Sequence, residues 1–322
     1  MTCIDLHCDL LAYLELFSTR SPYDLAARCS FPQLKQGEVK LQVMAIFTQT
    51  VKGSTLSAWR QFNHYQALCS RYQDDVCHYQ PSLSLKESKQ TQLVLAIENG
   101  SGLWEENEPF AQGVQRLQRL VTLGFKPLYL GMTWHQENRF GGGNASKIGL
   151  KEEGKELLKI MDELQIAIDL SHTSDALAHD ILDYLEQKSF SLPVLASHSN
   201  ARSVCPQARN LPDPLAKEIF KRQGVIGLNL YRKFIGERIE ALVDHIAHWL
   251  ELGGEKSIAL GADFFYEKDF DLSNNSYFSQ FEQASCYPQL LSFIQRALLM
   301  KKEEVDAFAY QNAATFIKKV MV

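Results

Sequence analysis

The strongest constraint on the fold is a repeated alternation of short apolar runs with longer segments of helical spacing. Residues 241–252 illustrate the longer kind, because their apolar side chains recur at intervals that place them on one helix face. Segments of this kind include 56–72, 110–123, 154–164 and 239–252, and a final helix is expected over roughly 303–320. The short runs number eight, and they cover 3–9, 41–47, 93–98, 128–134, 166–172, 193–198, 225–231 and 258–263. This pattern predicts strands that alternate with helices.

Strands that alternate with helices predict a parallel sheet, because two parallel strands need a crossover connection between them. Eight such units favour an α/β fold of the closed (β/α)8, TIM-like barrel type over an open, doubly wound sheet. The open sheet is also disfavoured because no Gly-x-Gly-x-x-Gly turn follows the first run. No long linker or repeat is evident, so we expect one domain over residues 1–322, with loop insertions at 138–147 and 264–278.

Composition narrows the possible partners. The formal net charge is −5, the sequence pI is about 6.0 and no long basic run is present, so nucleic acid is not an expected partner. The apolar runs fall well short of the ~20 residues that a membrane helix requires, and the N-terminus lacks a basic region followed by an apolar core. The seven cysteines form an odd set without a Cys-x-x-Cys spacing. We therefore expect a cytoplasmic protein with reduced cysteines and no membrane anchor.

Side chains that can bind metal or transfer protons stand at the ends of the apolar runs. In a (β/α)8 barrel the carboxyl ends of all strands surround one mouth, where active sites are built. Residues far apart in sequence are therefore expected to converge there, and their nitrogen and oxygen donors are ligands that zinc accepts. These residues, which end six of the eight runs or directly follow them, are His7, Asp9, Glu98, His135, His172, His198 and Asp263.

The first members of this set have both a structural and a functional interpretation. His7 and Asp9 are two residues apart, so both side chains point to the same face of a strand and can hold one metal ion. Taken alone, a His-x-Asp pair is more often a structural salt link. Glu98 follows five apolar residues, and a buried carboxylate needs a partner because an unpaired buried charge is costly. That partner is either an arginine or lysine, or two metal ions that Glu98 bridges.

His172 and His198 each follow a serine at the end of consecutive runs, which could indicate a hydrolase triad. Successive residues of a strand point to opposite faces, so we expect neither Ser171 nor Ser197 to use the adjacent histidine as a base. Each histidine alone is about as compatible with a hydrogen-bonded core residue as with a ligand. A purely structural role for all of His7, His172 and His198 is much less expected, and the set favours a metal site.

The segments around these positions resemble the membrane (renal) dipeptidase family of zinc peptidases, including its soluble bacterial members. The resemblance extends over nearly the whole chain, and the ordered set of segments is specific although each one alone is weak. The segments are Ile4-Asp5-Leu6-His7-Cys8-Asp9, Ala96-Ile97-Glu98-Asn99-Gly100, Asp169-Leu170-Ser171-His172, residues 193–202, 209–213 and 224–227, and Leu260-Gly261-Ala262-Asp263-Phe264.

The resemblance implies a barrel of the metallo-dependent hydrolase type that cleaves dipeptides with two zinc ions per chain. By this resemblance, His7 and Asp9 bind one zinc ion, and Glu98 bridges it to the other. The second ion is bound by His172 and His198. The two ions would lower the pKa of a bridging water, which gives hydroxide near neutral pH.

The same resemblance implies roles in catalysis and substrate binding. Asp263 matches the acid–base carboxylate, which would take the proton of the nucleophile and deliver it to the departing amine. Arg209 matches the arginine that binds the carboxylate of the substrate. From the residues alone, an ion pair between Arg209 and Asp213 is the simpler interpretation. A homodimer is suggested only by the family resemblance.

Three positions depart from the family pattern, and they concern the expected pocket. The family usually has Thr-His or Thr-Trp-Asn after the fourth strand, whereas this chain has Met132-Thr133-Trp134-His135. His135 is our candidate for the family's substrate-binding histidine, with Trp134 as the alternative occupant of that position. Phe265 stands where a second aspartate is common, and Pro214 stands where many relatives carry an acidic residue. We therefore expect a complete metal site and an altered pocket wall.

Two other functions stay open at this point. Another amidohydrolase-type, metal-dependent hydrolase could act on a cyclic amide, a lactone or a phosphoester, since fold alone does not fix function. Such sites often begin with His-x-His and use a carbamylated lysine as the bridge, whereas this chain offers His-x-Asp and Glu98. A catalytically silent barrel could serve as a binding module, but loss of ligands would be its signature and none is missing from this sequence.

Overall fold

The computed structural model describes residues 1–270, 272 and 275–321, so part of the predicted loop insertion 264–278 lies outside the described residues. Each strand in the described part runs parallel to the strands it pairs with. The strands are β1 (Cys3–Cys8), β2 (Val39–Ile46), β3 (Val76–His78), β4 (Thr91–Ile97), β5 (Tyr129–Gly131), β6 (Ala167–Asp169), β7 (Val194–Leu195), β8 (Ile226–Leu228) and β9 (Ile258–Leu260).

Helices connect these strands, and a last group of helices follows β9. The helices are α1 (Leu10–Leu16), α2 (Phe31–Gln36), α3 (Ser54–Arg71), α4 (Phe110–Thr122), α5 (Glu152–Leu164), α6 (Asp175–Lys188), α7 (Asp213–Lys221), α8 (Arg232–Ile235), α9 (Ala241–Glu251), α10 (Tyr287–Ala297), α11 (Lys302–Asp306) and α12 (Asn312–Val320). The predicted segments 56–72, 110–123, 154–164 and 239–252 correspond to α3, α4, α5 and α9, and the predicted final helix corresponds to α11 and α12 with the π-helical segment Ala307–Gln311 between them. Over the described residues, these helices are all too short or too polar to cross a bilayer.

The strands close into a ring. Their order in the sheet is β7-β6-β5-β4-β2-β1-β9-β8. The two ends of this order also meet, because Ala196 after β7 pairs with Ile226 of β8 and accepts a backbone hydrogen bond from Gly227. The predicted (β/α)8 barrel is therefore confirmed. The expectation of a single domain stays a prediction.

One strand lies outside this ring. The short strand β3 pairs with residues 91–93 at the start of β4, whereas β5 pairs with Ile97 at its end. Val76–His78 lies between Asp74-Asp75 and Gln80-Pro81, so it forms no apolar run and the sequence analysis missed it. It extends the sheet at the end remote from the strand carboxyl ends, and therefore does not change the mouth of the barrel.

The barrel interior is a packed core that holds the strand ends in place. Alternate residues of the strands point inward and form one apolar cluster, while the others pack against the surrounding helices. Phe316, Ile317 and Val320 of α12 belong to the inner cluster and cover one end of it. The strand residues of the inner cluster are Ile4, Leu6, Leu41, Val43, Val94, Ala96, Tyr129, Ala167, Leu195 and Ala259.

Two glycines permit the close approach that completes the ring. A Cβ atom on Gly227 or on Gly261 would overlap the carbonyl oxygen of Ser197, and each would also press against the Cα of the other glycine. These neighbours are backbone atoms, which cannot rotate away as the end of a side chain can. Because Ser197 precedes His198, the same contact helps to set the position of a predicted ligand.

This close approach predicts a large effect of Gly261→Ala on stability. We expect a loss of about 3 kcal/mol or more, at the upper end for overpacking. The matched control is Gly124→Ala, where φ is +84° and the space is open, so only the left-handed backbone costs about 1–2 kcal/mol. The measurement is the denaturant midpoint of both variants. Equal midpoints for the two variants would contradict the packing argument.

Candidate metal centre

The predicted site residues converge at the mouth formed by the strand carboxyl ends. Six of the eight line a cavity of about 450 Å³, whose wall also carries several aromatic rings. The other two, His7 and His198, are completely buried beside Glu98. The six residues that line the cavity are Asp9, Glu98, His135, His172, Arg209 and Asp263.

Turns after the strands, more than the strands themselves, aim these side chains. His172 lies three residues beyond β6 with φ of 65°, and Asp263 lies three residues beyond β9 with φ of 61°. A left-handed backbone is uncommon for residues other than glycine and is concentrated at functional sites. The backbone N–H of Asp263 donates to the carbonyl oxygen of His7 at 3.2 Å, which holds the turn against β1. The carboxylate of Asp263 is thereby brought next to the imidazole of His7.

The first group of donors surrounds Nε2 of His7. This nitrogen lies 3.4 Å from Oε2 of Glu98 and 3.8 Å from Oδ1 of Asp9. It also lies 3.8 Å from Oδ1 of Asp263. A zinc ion that binds tetrahedral donors at about 2.0–2.1 Å holds those donors about 3.3 Å apart. The spacing of this group therefore fits one metal ion.

The second group surrounds the other oxygen of Glu98. Oε1 of Glu98 lies 3.2 Å from Nε2 of His172 and 4.0 Å from Nε2 of His198. The two imidazole nitrogens are 3.0 Å apart. Glu98 thus turns one oxygen to each group of donors, the arrangement required of a carboxylate that bridges two ions.

Unpartnered polar atoms support the same interpretation. Nε2 of His7, Oδ1 of Asp9 and Oε2 of Glu98 are buried and have no hydrogen-bond partner. An unsatisfied buried donor or acceptor costs about 1–3 kcal/mol. Within the described part of the chain, no lysine or arginine lies within 4 Å of Glu98, so the alternative ion pair considered for this carboxylate is not formed there. The donor set fits a cation.

The electrostatics of the two histidines in the second group suit metal binding. Burial lowers the pKa of His172 to about 3, and the positive charge of Arg209 acts in the same direction. Burial also holds the pKa of His198 well below its ordinary value, and the charge of His7 adds to this effect. Both imidazoles are therefore neutral near pH 7, the form that ligates a metal.

The pKa values of the buried carboxyl groups of Asp9 and Asp263 are raised, whereas those of the two histidines in the second group are lowered. Burial, joined by the negative charge of Glu98, raises the pKa of Asp9 well above its ordinary value. Burial also raises the pKa of Asp263 to about 6, against the opposing charge of His7. Burial lowers the pKa of His7, but the adjacent Glu98 carboxylate outweighs it and raises that pKa to about 10. A proton on His7 thus balances Glu98 in the protein alone, and a bound cation would replace that proton.

The orientation of Ser197 corrects one expectation. Its Oγ lies 2.6 Å from Nδ1 of His198, so the prediction that the two side chains point to opposite faces is wrong. The reason is that β7 ends at Leu195, and strand alternation does not extend into the turn that follows. The Ser197 hydroxyl donates to Oδ2 of Asp169 at 2.5 Å and is completely buried. It is therefore not available to attack a substrate.

Arg209 is a buried cation that faces the cavity. Its Nη1 donates to Oγ of Ser199 at 2.9 Å and its Nη2 to the carbonyl oxygen of His198 at 2.7 Å, while Nε has no partner. The side chain is 5% exposed. Asp213, the simpler partner, instead accepts hydrogen bonds from His248 and Ser203. Among the described residues no carboxylate lies within 4 Å of Arg209, so its charge is free to bind an anion in the cavity.

His135 and Trp134 both line the cavity, stacked on each other with ring centroids 3.8 Å apart. The ring of His135 lies 5.5 Å from that of His172. Burial and the charge of Arg209 lower the pKa of His135, so the ring is neutral and can donate one hydrogen bond to a ligand. Phe265 lines the same cavity, where it contributes an apolar wall.

Sequence reasoning missed several cavity residues. Asn144 lies in the predicted insertion 138–147, and its Oδ1 is 3.2 Å from Nδ1 of His172. Phe47 lies directly after β2, at a strand end like the predicted ligands, and a search for apolar residues at those positions could have found it. Tyr231 ends the apolar run 225–231 and could have been found in the same way, whereas Phe234 belongs to α8, which carried no signal for a site.

Comparison with known proteins gives a match over the whole chain. The family model described as membrane dipeptidase, peptidase family M19, matches residues 1–321. An uncharacterized protein in the pqqA 5′ region of Klebsiella pneumoniae is 30% identical over 195 residues, which cover 56% of this chain and 67% of that protein. An uncharacterized dipeptidase of Schizosaccharomyces pombe is 27% identical over 288 residues, which cover 81% of this chain and 68% of that protein. The chain spans between 42% and 68% of the length of four curated relatives.

Solved structures share the fold. A metallopeptidase from Rhodobacter sphaeroides, liganded with a phosphinate mimic of the dipeptide L-Ala-D-Ala, matches with a TM-score of 0.82 and 18% identity over 99% of both chains. Because sequence identity is this low, the likeness concerns the architecture of the barrel. It agrees with the closed ring of strands described above.

The position of Glu98 between two donor groups predicts that Glu98→Gln reduces tightly bound divalent metal. A neutral amide is a poor ligand between two cations. The measurement is elemental analysis after dialysis against a weak chelator. Glu108→Gln is the matched control, because Glu108 pairs with Arg116 away from the cavity. Unchanged metal content in Glu98→Gln would contradict the bridging role.

Proposed function

The chain belongs to the membrane dipeptidase family, peptidase family M19, and we propose that it is a zinc-dependent dipeptidase with two zinc ions per chain. One observation carries the proposal: two donor groups share the carboxylate of Glu98, in the same cavity as a buried guanidinium that has no carboxylate partner among the described residues. The first feature provides for metal ions and the second for the free carboxylate of a short peptide. Together these two features provide a reacting centre and an anion site within one cavity.

The proposed ligand assignment follows the two donor groups. His7 and Asp9 would hold one zinc ion, His172 and His198 the other, and Glu98 would bridge them. The unpartnered atoms of His7, Asp9 and Glu98 support this assignment. Zinc held by these residues would supply Lewis-acid chemistry, which makes water more acidic and a carbonyl more electrophilic.

Asp263 is proposed as the acid–base residue. Its Oδ2 accepts a hydrogen bond from Asn229 at 2.8 Å, while its Oδ1 lies 3.8 Å from Nε2 of His7. One oxygen is therefore fixed by the protein and the other faces the donor group. From this position the carboxylate can take a proton from the attacking water and pass it to the departing amine.

Arg209 and His135 are proposed to bind the substrate. The guanidinium can grip a terminal carboxylate through parallel, charge-assisted hydrogen bonds. The neutral ring of His135 can donate a hydrogen bond to the substrate carbonyl. Because both residues line the same cavity as Glu98 and Asp263, a dipeptide can reach all of them at once. A longer peptide would have to place an uncharged amide against the buried cation, which is unfavourable.

The mimic of L-Ala-D-Ala bound to the Rhodobacter sphaeroides protein makes that dipeptide a suitable first substrate to test. The alternative of an amidohydrolase that acts on a cyclic amide, a lactone or a phosphoester is less well supported. A glutamate stands at the bridging position here, and Arg209 offers a carboxylate site that those substrates do not require. The cytoplasmic location and the possible homodimer stay predictions.

The acid–base role predicts that Asp263→Asn keeps its zinc but lowers kcat by about 10²- to 10⁴-fold, the usual contribution of a positioned acid or base. The amide keeps the shape of the side chain but cannot transfer the proton. Asp213→Asn is the matched control, because Asp213 is bound to His248 and Ser203 instead of lining the cavity. Loss of zinc together with activity would make Asp263 a ligand instead.

The anion site predicts that Arg209→Ala raises KM for dipeptides by roughly 10- to 150-fold, which corresponds to a charged hydrogen bond of about 1.5–3 kcal/mol. The decisive comparison is kcat/KM for a dipeptide and for its C-terminal amide, measured on wild type and variant. Wild type should discriminate against the amide, and the variant should lose that discrimination.

Two controls accompany this comparison. Arg232→Ala removes an arginine bound to Asn275 and Glu237, outside this cavity, and should behave as wild type. Zinc content is measured in parallel, because Arg209 also holds the carbonyl of His198. If wild type and Arg209→Ala discriminate equally against the amide, Arg209 does not read the carboxylate.

A further inference from the structure

Behind the proposed ligands, Nδ1 of two histidines lies against a hydroxyl group. Nδ1 of His7 is 2.7 Å from the hydroxyl of Tyr129, and Nδ1 of His198 is 2.6 Å from Oγ of Ser197. An imidazole that is neutral carries its proton on one nitrogen, and the partner of Nδ1 decides which one. The direction of these two hydrogen bonds therefore determines whether Nε2 can bind a metal.

The direction is set at Ser197 by the carboxylate of Asp169. Ser197 donates its single proton to Oδ2 of Asp169 at 2.5 Å. Its oxygen can then only accept from His198, so the imidazole proton must be on Nδ1. Oδ1 of Asp169 accepts the backbone N–H groups of Ser171 and Ser197, both at 2.9 Å. The carboxylate is thus surrounded by donors, and it holds the turns that carry both His172 and His198.

The hydroxyl of Tyr129 also has a single proton to donate. This hydroxyl lies 3.0 Å from the carbonyl oxygen of Leu6, which can only accept a hydrogen bond. When the phenol donates to this carbonyl, it accepts from Nδ1 of His7. Tyr129 is fully buried. Each of the two histidines thus has a buried hydroxyl against its Nδ1, and the carboxylate of Asp169 orients the hydroxyl of Ser197.

We propose that Asp169, Ser197 and Tyr129 are positioning residues that hold His7 and His198 with the proton on Nδ1 and a free lone pair on Nε2. This inference rests on the proposed function, because it concerns the ligands of the proposed zinc site. Those Nε2 atoms are the ones that face the two oxygens of Glu98. The three positioning residues act on metal affinity through the histidines and touch neither metal nor substrate themselves.

The sharpest test is Asp169→Asn, because it should reverse a hydrogen bond. The two backbone N–H groups require an acceptor, so the amide oxygen must take the place of Oδ1 and the amide NH₂ must face Ser197. The serine would then accept from the amide and donate to Nδ1 of His198. That moves the imidazole proton to Nε2 and removes the lone pair that binds the metal. A variant that only loosened the packing would not reverse the direction of the hydrogen bond between Ser197 and His198.

The experiment measures zinc affinity of the intact protein by competition with a chelator. Loss of an outer hydrogen-bond partner typically costs about 10- to 100-fold in metal affinity, and we expect this for Ser197→Ala and Tyr129→Phe. Asp169→Asn should lose more than Ser197→Ala, and Ser197→Thr should restore affinity because it keeps the hydroxyl. The matched controls are Tyr287→Phe, whose hydroxyl donates to Asp5, and Ser174→Ala, whose hydroxyl serves α6 and Ile148. Both controls should bind zinc as wild type does.

A second readout reports the proton directly. Nuclear magnetic resonance of the zinc-loaded protein with ¹⁵N-labelled histidine should show protected Nδ1–H signals for His7 and His198. Ser197→Ala should shift or remove the signal of His198, and Tyr129→Phe that of His7.

The outcomes separate the two proposals. Wild-type zinc affinity in both Ser197→Ala and Asp169→Asn would overturn the positioning role, as would an unchanged Nδ1–H signal in Ser197→Ala. A wild-type protein that binds no zinc would overturn the proposed function as well. A wild type that binds zinc and cleaves dipeptides, with variants that do the same, would remove only this inference.

Discussion

The burial of the Glu98 carboxylate is the constraint on which the rest of the site depends. Both of its oxygens face histidine nitrogens, at 3.4 Å for His7 and 3.2 Å for His172. A buried charge must be balanced, and the described neighbours supply no lysine or arginine for that purpose. The surroundings instead offer imidazole nitrogens and further carboxylates, a composition that suits the binding of metal ions.

The cavity divides this chemistry between two regions. Carboxylates and imidazoles gather around Glu98, while Arg209 supplies a buried positive charge on another part of the wall. The rings of Phe47, Trp134 and Phe265 line the same cavity. Charge in such an enclosure is poorly screened, so under the proposed function Arg209 would attract the anionic group of a substrate. The separation of these regions, more than any single residue, suits a short substrate with one free carboxylate.

The rigidity of the barrel connects these features. Inward-pointing apolar residues pack the interior, and backbone contacts at Gly227 and Gly261 hold the ring closed beside Ser197. Tyr129 belongs to this packed interior, and its hydroxyl contacts Nδ1 of His7. Asp169 ends β6, and its carboxylate accepts a hydrogen bond from the backbone of Ser197 in the turn after β7. The core would therefore set the orientation of the proposed ligands through hydrogen bonds, instead of leaving it to flexible side chains.

The periodicity of apolar residues by itself determined the eight strands, and polar residues at the ends of those runs determined the candidate ligands. Both are local properties of the chain. A few neighbouring residues indicate that a segment forms a strand, and the carboxyl end of each strand lies at the mouth of the barrel. Strand β3 lies between acidic and polar residues and forms no apolar run, so this pattern of apolar residues did not reveal it. Ser197 was assigned to the wrong face because β7 ends at Leu195. Only the tertiary structure decided that Arg209 has no carboxylate partner in the described part and that Tyr129 meets His7 across 122 residues of sequence. Contacts of this kind depend on how distant turns pack against one another, and no local pattern encodes that packing.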